Sequence, residues 1–128
     1  MGLDTYAHKA KELNVDFASI AGRLCGGIMS QTGEASFRGK VYDDFVESVA
    51  GASLYQEWIN PYEVKDIAVA LASYVREHTA ESHHQYIVKH EINKQFSGDL
   101  GESFDEAKAL AEWFTIASDN ELAVRGWW

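Results

Sequence analysis

The chain has 128 residues, 46% hydrophobic and 24% charged, and 20 acidic against 11 basic residues give it a net charge of −9. This length and composition predict a single folded domain over residues 1–128 and exclude an intrinsically disordered chain. Direct nucleic-acid binding and membrane binding are not expected, because phosphate groups repel a surface of this charge.

The single cysteine and the absence of targeting signals indicate a cytoplasmic protein. Cys25 has no partner for an internal disulfide, and an unpaired thiol is typical of a reducing compartment. The sequence contains no secretory signal pattern and no apolar stretch near the roughly 18 residues of a membrane span.

The first half of the chain predicts two short helices. Apolar residues recur at helical spacing over 17–24 and again over 42–49, and glycines follow both segments. We expect the stretch between them, residues 26–38, to be an irregular loop.

Residues 33–42, GEASFRGKVY, resemble a phosphate-binding loop without matching its strict pattern. Five residues separate the two glycines and a valine follows the lysine, whereas a Walker-type loop has a shorter interval and a Ser or Thr after the lysine. A simpler anion site remains open, in which Arg38, Gly39 and Lys40 combine positive charge with free N–H groups at a helix start. The alternative is that the glycines only form turns and Arg38 pairs with a nearby acid.

The clearest helix signal is NPYEVKDIAVALASYVREH, which begins at Asn60. Asn60 is a favourable N-cap, Pro61 suits the first helical position, and Glu63 completes a capping box. Apolar residues then recur at intervals of three and four. We therefore expect a helix over residues 61–78.

A second helix is predicted in SHHQYIVKHEINKQFSG. Ser82 and Gln85 have the spacing of a capping box, and Gly98 provides a stop signal. A bend over residues 79–81 would separate this helix from the preceding one. Its apolar face would comprise Val88, Ile92 and Phe96.

A third helix is predicted from Ser103 to about Ser118, opened by a capping box between Ser103 and Glu106. Residues 99–128 contain seven acids and two bases, a net charge of −5. The simpler interpretation is that these charges lie on a solvent-exposed helix face. The sharper hypothesis is that this acidic face binds a protein partner through Glu102, Asp105, Glu106 and Glu112.

The segments 53–59 and 122–128 are each compatible with a short strand or a helical turn, and they could pair as a small two-stranded β element. Trp127 and Trp128 stay ordered only if something covers them. The tail could pack on its own core. Alternatively, Arg125, Trp127 and Trp128 could form a partner or homodimer interface, because Trp and Arg are enriched there.

The sequence contains no recognisable set of catalytic or metal-binding residues. Four histidines, at 78, 83, 84 and 90, fall within thirteen residues, but the intervals from 83 and 84 to 90 are too long for two ligands on one helix face. In HEINK, Lys94 stands where H-E-x-x-H requires the second histidine. We therefore expect no metal and no cofactor, and we favour a non-enzymatic function over an enzymatic one.

Several blocks of the sequence resemble a set of small uncharacterised proteins from bacteria and their phages. These blocks are MGLDTY at the start, LCGG at 24–27, SFRGKVY at 36–42, SLYQEWI at 53–59 and the closing GWW. The resemblance implies a phage or mobile-element setting. It implies no activity and transfers no catalytic residue.

Together these patterns predict a mainly α, single-domain bundle of five or six helices, with the small two-stranded β element left open. The preferred function is that of a non-enzymatic accessory protein that binds another protein. One form of it is an acidic inhibitor of a host-defence or nucleic-acid-handling protein. The alternative is a binding protein or enzyme for a small anion, phosphate or nucleotide, that uses residues 33–42.

Overall fold

The computed structural model describes residues 3–27, 35–96 and 98–128 and has an α+β fold. Within these ranges there are five α-helices and a four-stranded antiparallel sheet, so the predicted mainly α bundle is wrong. The elements in chain order are β1 (Asp4–Ala7), α1 (Ala18–Ala21), β2 (Ser36–Arg38), a 3₁₀ turn (Gly39–Val41), α2 (Asp43–Ala50), β3 (Trp58–Ile59), α3 (Pro61–Glu77), α4 (Ala80–Lys89), α5 (Phe104–Asp119) and β4 (Val124–Trp127).

The sheet has the strand order β2-β1-β4-β3, so its two central strands come from opposite ends of the chain. Thr5 of β1 lies opposite Phe37 of β2 and Gly126 of β4, and Ile59 of β3 lies opposite Val124 of β4. The β3–β4 pair is the two-stranded element that the sequence left open. Strands β1 and β2, which the sequence did not predict, extend the β3–β4 pair into a four-stranded sheet.

One face of the sheet is buried against the helices. Side chains on successive strand residues point to opposite faces, and the inward set is buried. Phe37 packs edge-on against Trp113 of α5 with ring centroids 4.8 Å apart, which places α5 on this side. The inward residues are Thr5, Ala7, Phe37, Ile59, Val124 and Gly126.

Two predicted long helices are confirmed, and the capping residues explain why. At the start of α3, the Asn60 side chain accepts a hydrogen bond from the Glu63 N–H at 3.0 Å. At the start of α5, the Ser103 hydroxyl accepts one from the Glu106 N–H at 3.1 Å. A side chain that satisfies an unpaired N–H fixes the first helical turn.

Helix α4 differs from its prediction at both ends. It is capped by Thr79, whose side chain and Ser82 form a reciprocal capping box, and it ends at Lys89. The predicted continuation fails because Glu91 and Asn93 have left-handed backbone conformations, with φ of 53° and 55°. Buried Asn93 donates its side-chain amide to the carbonyls of Val41 and Leu100, each at 2.7 Å, and so holds the chain in a loop.

The first half of the chain is partly as expected. Helix α2 is confirmed and ends at Gly51, whose φ of 72° is the left-handed conformation that glycine adopts readily. Helix α1 has only four residues. The predicted irregular loop over 26–38 is wrong at its end, where β2 lies, and its residues 28–34, with Gly33, fall outside the described ranges.

Candidate functional site

The face of the sheet turned away from the helices brings together polar and aromatic side chains from all four strands. Tyr6 lies opposite Arg125, which in turn lies opposite Trp58, and Asp4 lies opposite both Arg38 and Trp127. Their inward neighbours are buried, so these residues share the other side. We call this surface the outer sheet face and define it as Asp4, Tyr6, Arg38, Trp58, Arg125 and Trp127.

Large apolar side chains are concentrated at this end of the molecule. Nine of them are exposed in the described part of the chain, and four lie on β3, at β4 or in the turn before β3. Trp58 and Trp127 are 45% and 67% exposed. On the Gly126 side of β4, Tyr55 and Trp128 contact each other edge-on. Grouped exposure of this kind marks interaction surfaces, because single exposed apolar residues are otherwise scattered.

Arg125 lies with its guanidinium over the ring of Trp58. Its guanidinium carbon is 4.3 Å from the centroid of the Trp58 ring, a cation–π contact, and His8 meets the same ring edge-on at 4.7 Å. Among the described residues, its one ion pair is a 3.5 Å contact with the exposed Glu57 carboxylate. Its Nε is buried without a hydrogen-bond partner among the described residues. The side chain is thus fixed in place by stacking, while most of its donors are unused.

Arg38 occupies the opposite corner of the outer sheet face. Its Nε lies 3.3 Å from an oxygen of Asp4, close enough for an ion pair but out of line for a hydrogen bond. Its backbone N–H donates to the Cys25 carbonyl at 2.7 Å, so the segment before residue 28 packs beside β2. Arg38 therefore has the nearby acid that the simpler interpretation of its loop predicted.

The other two residues of the predicted anion site lie in different surroundings. Gly39 donates its N–H to the Leu3 carbonyl at 2.8 Å, and a Cβ at this position would overlap Thr5 Oγ1. The Lys40 ammonium lies over the Phe96 ring, 5.5 Å from its centroid. Arg38 and Lys40 thus contact different parts of the molecule, and anion binding by the 38–40 stretch stays a prediction.

The four acids of the predicted partner-binding face lie on or just before α5 and are engaged within the chain. Glu112 pairs with Arg23 at 2.9 Å, and Asp105 pairs with Lys108 at 3.4 Å. The backbone carbonyl of Glu102 bonds to a histidine, and burial raises the pKa of its carboxyl. Because α5 packs on the buried side of the sheet, the structure does not bring these acids together with Arg125, Trp127 and Trp128.

Glu106 belongs to a hydrogen-bond chain that holds the first half of the molecule together. The Tyr42 hydroxyl donates to a Glu106 carboxylate oxygen at 2.5 Å and accepts from the Cys25 N–H at 2.7 Å. Burial, reinforced by the nearby Glu106 carboxylate, raises the pKa of the Tyr42 phenol, so the hydroxyl keeps its proton and remains a donor. This acid therefore has a structural partner in the free protein.

Three of the four clustered histidines, His78, His83 and His90, form ring contacts with tyrosines. Buried His83 bonds through Nδ1 to the Tyr74 hydroxyl at 2.7 Å and through Nε2 to the Glu102 carbonyl at 2.8 Å. His78 stacks on Tyr74, with ring centroids 3.8 Å apart. In the described ranges, no group of three or more His, Cys, Asp or Glu side chains is arranged to hold a metal ion.

A shallow groove of about 320 Å³ lies between α2, α3 and α4. The hydroxyls of Ser48 and Tyr86, both in its lining, are hydrogen-bonded at 2.5 Å. The groove contains none of the residues singled out from the sequence. Its lining residues are Ser48, Val49, Ala70, Ser73, Tyr74, Glu77 and Tyr86.

Comparisons with protein-family models, with curated proteins and with solved structures find no match to this chain. None of the helices in the described ranges has the length and apolar character needed to cross a membrane.

The sequence patterns indicated the β3–β4 pair as a possibility and singled out Arg38, but they did not predict β1 or β2. Arg125 and Trp127 were singled out because they are conspicuous near the chain end. Asp4 and Tyr6 were not, because the alternation in a strand of four residues is too short to distinguish from chance. The one available signal was the alternation of inward and outward residues in DTYA and in VRGW.

Proposed function

We propose that this chain is a non-enzymatic accessory protein that binds another protein through its outer sheet face. The observation that carries the proposal is the exposure of Trp58 and Trp127 around a guanidinium that is already fixed by stacking. Trp, Tyr and Arg are the residues that contribute most to binding energy at protein interfaces. A stacked arginine also loses little conformational freedom when a partner binds.

A protein partner fits this surface better than a nucleic acid does. Sheets with exposed aromatic residues also bind single strands by base stacking, but such sites sit in positively charged grooves. Here the chain carries a net charge of −9, and Asp4 and Glu57 offset the two arginines of the face. Long-range repulsion of phosphates therefore opposes nucleic-acid binding.

The resemblance to small bacterial and phage proteins supports a mobile-element setting for this binding function. In that setting we propose a cytoplasmic protein that acts on a host protein. An acidic inhibitor of a host-defence or nucleic-acid-handling protein is one form that this function could take. The support is the resemblance together with the net negative charge.

The test compares partner capture by the wild-type protein and by a Trp58→Ala/Trp127→Ala double variant. Proteins captured from host lysate are identified by mass spectrometry, and their affinity is then measured with purified components. We expect the double variant to lose a partner that the wild type binds directly. Val88→Ala removes an equally exposed apolar side chain from α4 and should bind as the wild type does. Equal affinity of all three proteins for every partner would contradict the proposal.

Anion binding by Arg38 and Lys40 remains the alternative, and a thermal-shift measurement separates the two. A ligand that binds only the folded state raises the melting temperature. The alternative requires a phosphate- or nucleotide-dependent rise that an Arg38→Ala/Lys40→Ala variant abolishes. Protein binding through the outer sheet face requires no such rise.

A further inference from the structure

Building on the proposed function, we infer that the partner presents a short exposed segment whose Asp or Glu side chain binds Arg125. The carboxylate would meet the guanidinium where it lies on Trp58, and a neighbouring apolar side chain of the segment would pack between Trp58 and Trp127. This inference names the partner's chemistry, which the proposed function leaves open.

The guanidinium of Arg125 has N–H donors available for a carboxylate. An arginine presents five N–H donors in a planar fork that matches a carboxylate with two parallel hydrogen bonds. Arg125 has only the long contact to Glu57, and no other acceptor among the described residues bonds to its guanidinium. Its side chain is 24% exposed, so a carboxylate docking there would be partly shielded from water. Charge-assisted hydrogen bonds gain strength from such shielding.

The outer sheet face is small compared with a standard protein interface. Strands of at most four residues span about 14 Å, and four strands side by side span about 19 Å, which gives an area of about 270 Å². A standard interface between folded proteins buries about 800 Å² on each side. The face alone is therefore too small to hold a second copy of this chain, and it matches a short segment.

The charge of the molecule limits the charge of the segment that can bind. At a net charge of −9, the molecule as a whole repels a strongly acidic partner. Locally, the Asp4–Arg38 and Glu57–Arg125 pairs make the outer sheet face close to neutral. A carboxylate is therefore tolerated at this face when the residues around it are neutral or basic. The segment expected is one Asp or Glu beside an aromatic or aliphatic residue, flanked by Lys, Arg or uncharged residues.

The experiment selects binders from a library of random 12-residue peptides with amidated C-termini, so that side chains supply every carboxylate. Binders that Trp58→Ala/Trp127→Ala fails to retain are kept, and their affinities are measured by calorimetry. We expect each to contain Asp or Glu, and replacing it by Asn or Gln should weaken binding by about tenfold. Arg125→Lys should weaken binding similarly, because lysine lacks the planar fork.

A second variant tests the same contact in the opposite direction. Glu57→Gln removes the carboxylate that competes for Arg125, and it changes a side chain that is 74% exposed, so the fold is not at risk. We expect this variant to bind the selected peptides about twofold more tightly. Val88→Ala serves as the unchanged control.

The outcomes separate this inference from the proposed function. Peptides that need Trp58 and Trp127 but tolerate loss of their carboxylate, or bind Arg125→Lys normally, would overturn the inference and leave the proposed function standing. A library that yields no peptide dependent on Trp58 and Trp127 would overturn the inference, whereas the lysate capture tests the proposed function separately. Weaker binding to Glu57→Gln would also contradict the inference.

Discussion

At the scale of single residues, Tyr42 connects segments that are far apart in the chain. Its hydroxyl joins the N–H of Cys25 to the carboxylate of Glu106 at the start of α5. The Cys25 carbonyl in turn accepts from the Arg38 N–H of β2. One phenol therefore links the sheet edge, the segment beside it and the helical layer.

Replacing Tyr42 by Phe should lower the free energy of unfolding by about 1–3 kcal/mol, because the Cys25 N–H and the Glu106 carboxylate each lose a partner in a partly buried site. Urea unfolding followed by circular dichroism measures the change. Tyr62→Phe, at a side chain that is 84% exposed, is the matched control and should be neutral. Equal midpoints for the two variants would show that the hydroxyl contributes nothing.

His83 makes the stability depend on pH. Burial lowers the pKa of its imidazole, with nearby His78 and His84 acting in the same direction and the hydrogen bond to Glu102 opposing them. The ring also packs against Phe45 and Phe104. The folded state therefore favours the neutral ring, and the unfolded chain binds the proton more readily.

It follows that the contribution of His83 to stability is present above the unfolded pKa of about 6.5 and is lost as the pH falls below it. We expect the urea midpoint of the wild type to decrease as the pH is lowered from 7 to 5.5. The midpoint of a His83→Gln variant should depend less on pH. The raised pKa of Glu102 acts in the opposite direction, and the variant retains Glu102, so the comparison isolates His83. A His83→Gln profile as steep as that of the wild type would contradict this role of His83.

At the scale of elements, the helices could be predicted from the sequence and most of the sheet could not. Local residues determine where α3 begins, because Asn60 caps the helix and Pro61 occupies its first position. The strands have two to four residues each and are stabilised by partners remote in sequence, as when Thr5 pairs with Gly126. Periodicity detects local order only, so β1 and β2 gave no usable signal. The outer sheet face was missed for the same reason.

The turn after β2 depends on a close approach that only glycine permits. A Cβ at Gly39 would overlap Thr5 Oγ1 and lie 2.9 Å from a methyl carbon of Leu3, both in or next to the central strand β1. We expect Gly39→Ala to destabilise the protein by about 1–3 kcal/mol through overpacking. Gly22→Ala is the control, because no atom lies within 4 Å of its Cβ and its φ is −76°. Equal thermal midpoints for the two variants would contradict the role given to Gly39.

At the scale of the whole molecule, we propose that the acids act on a partner as a long-range electrostatic field, while partner contact by Glu102, Asp105, Glu106 and Glu112 stays a prediction. The acids singled out on α5 bond to residues of their own chain, yet the net charge remains −9. A field of this kind raises the rate of association with a basic partner and contributes less to holding the complex together. In the proposed function, the outer sheet face would provide the contacts that hold the partner.

With a purified partner, the association rate should therefore fall steeply as salt rises, because exposed charges are screened over about 8–10 Å. The dissociation rate should change little, since contacts with Trp58 and Trp127 are apolar. Surface plasmon resonance at several salt concentrations measures both rates. An association rate independent of salt would contradict a steering role for the acidic surface.

The central position of β1 beside β4 also sets when the outer sheet face comes into existence. Asp4 lies opposite Trp127, so β1 pairs with β4, the strand of the sheet that is synthesised longest after it. Contacts between distant parts of a chain form slowly because a long loop must close first, whereas α3 needs only its own residues. During synthesis the helices can therefore form while β1 still lacks its neighbour. A chain interrupted just before Val124 would contain α1 to α5 but no complete face, so the proposed partner recognition would require translation through β4.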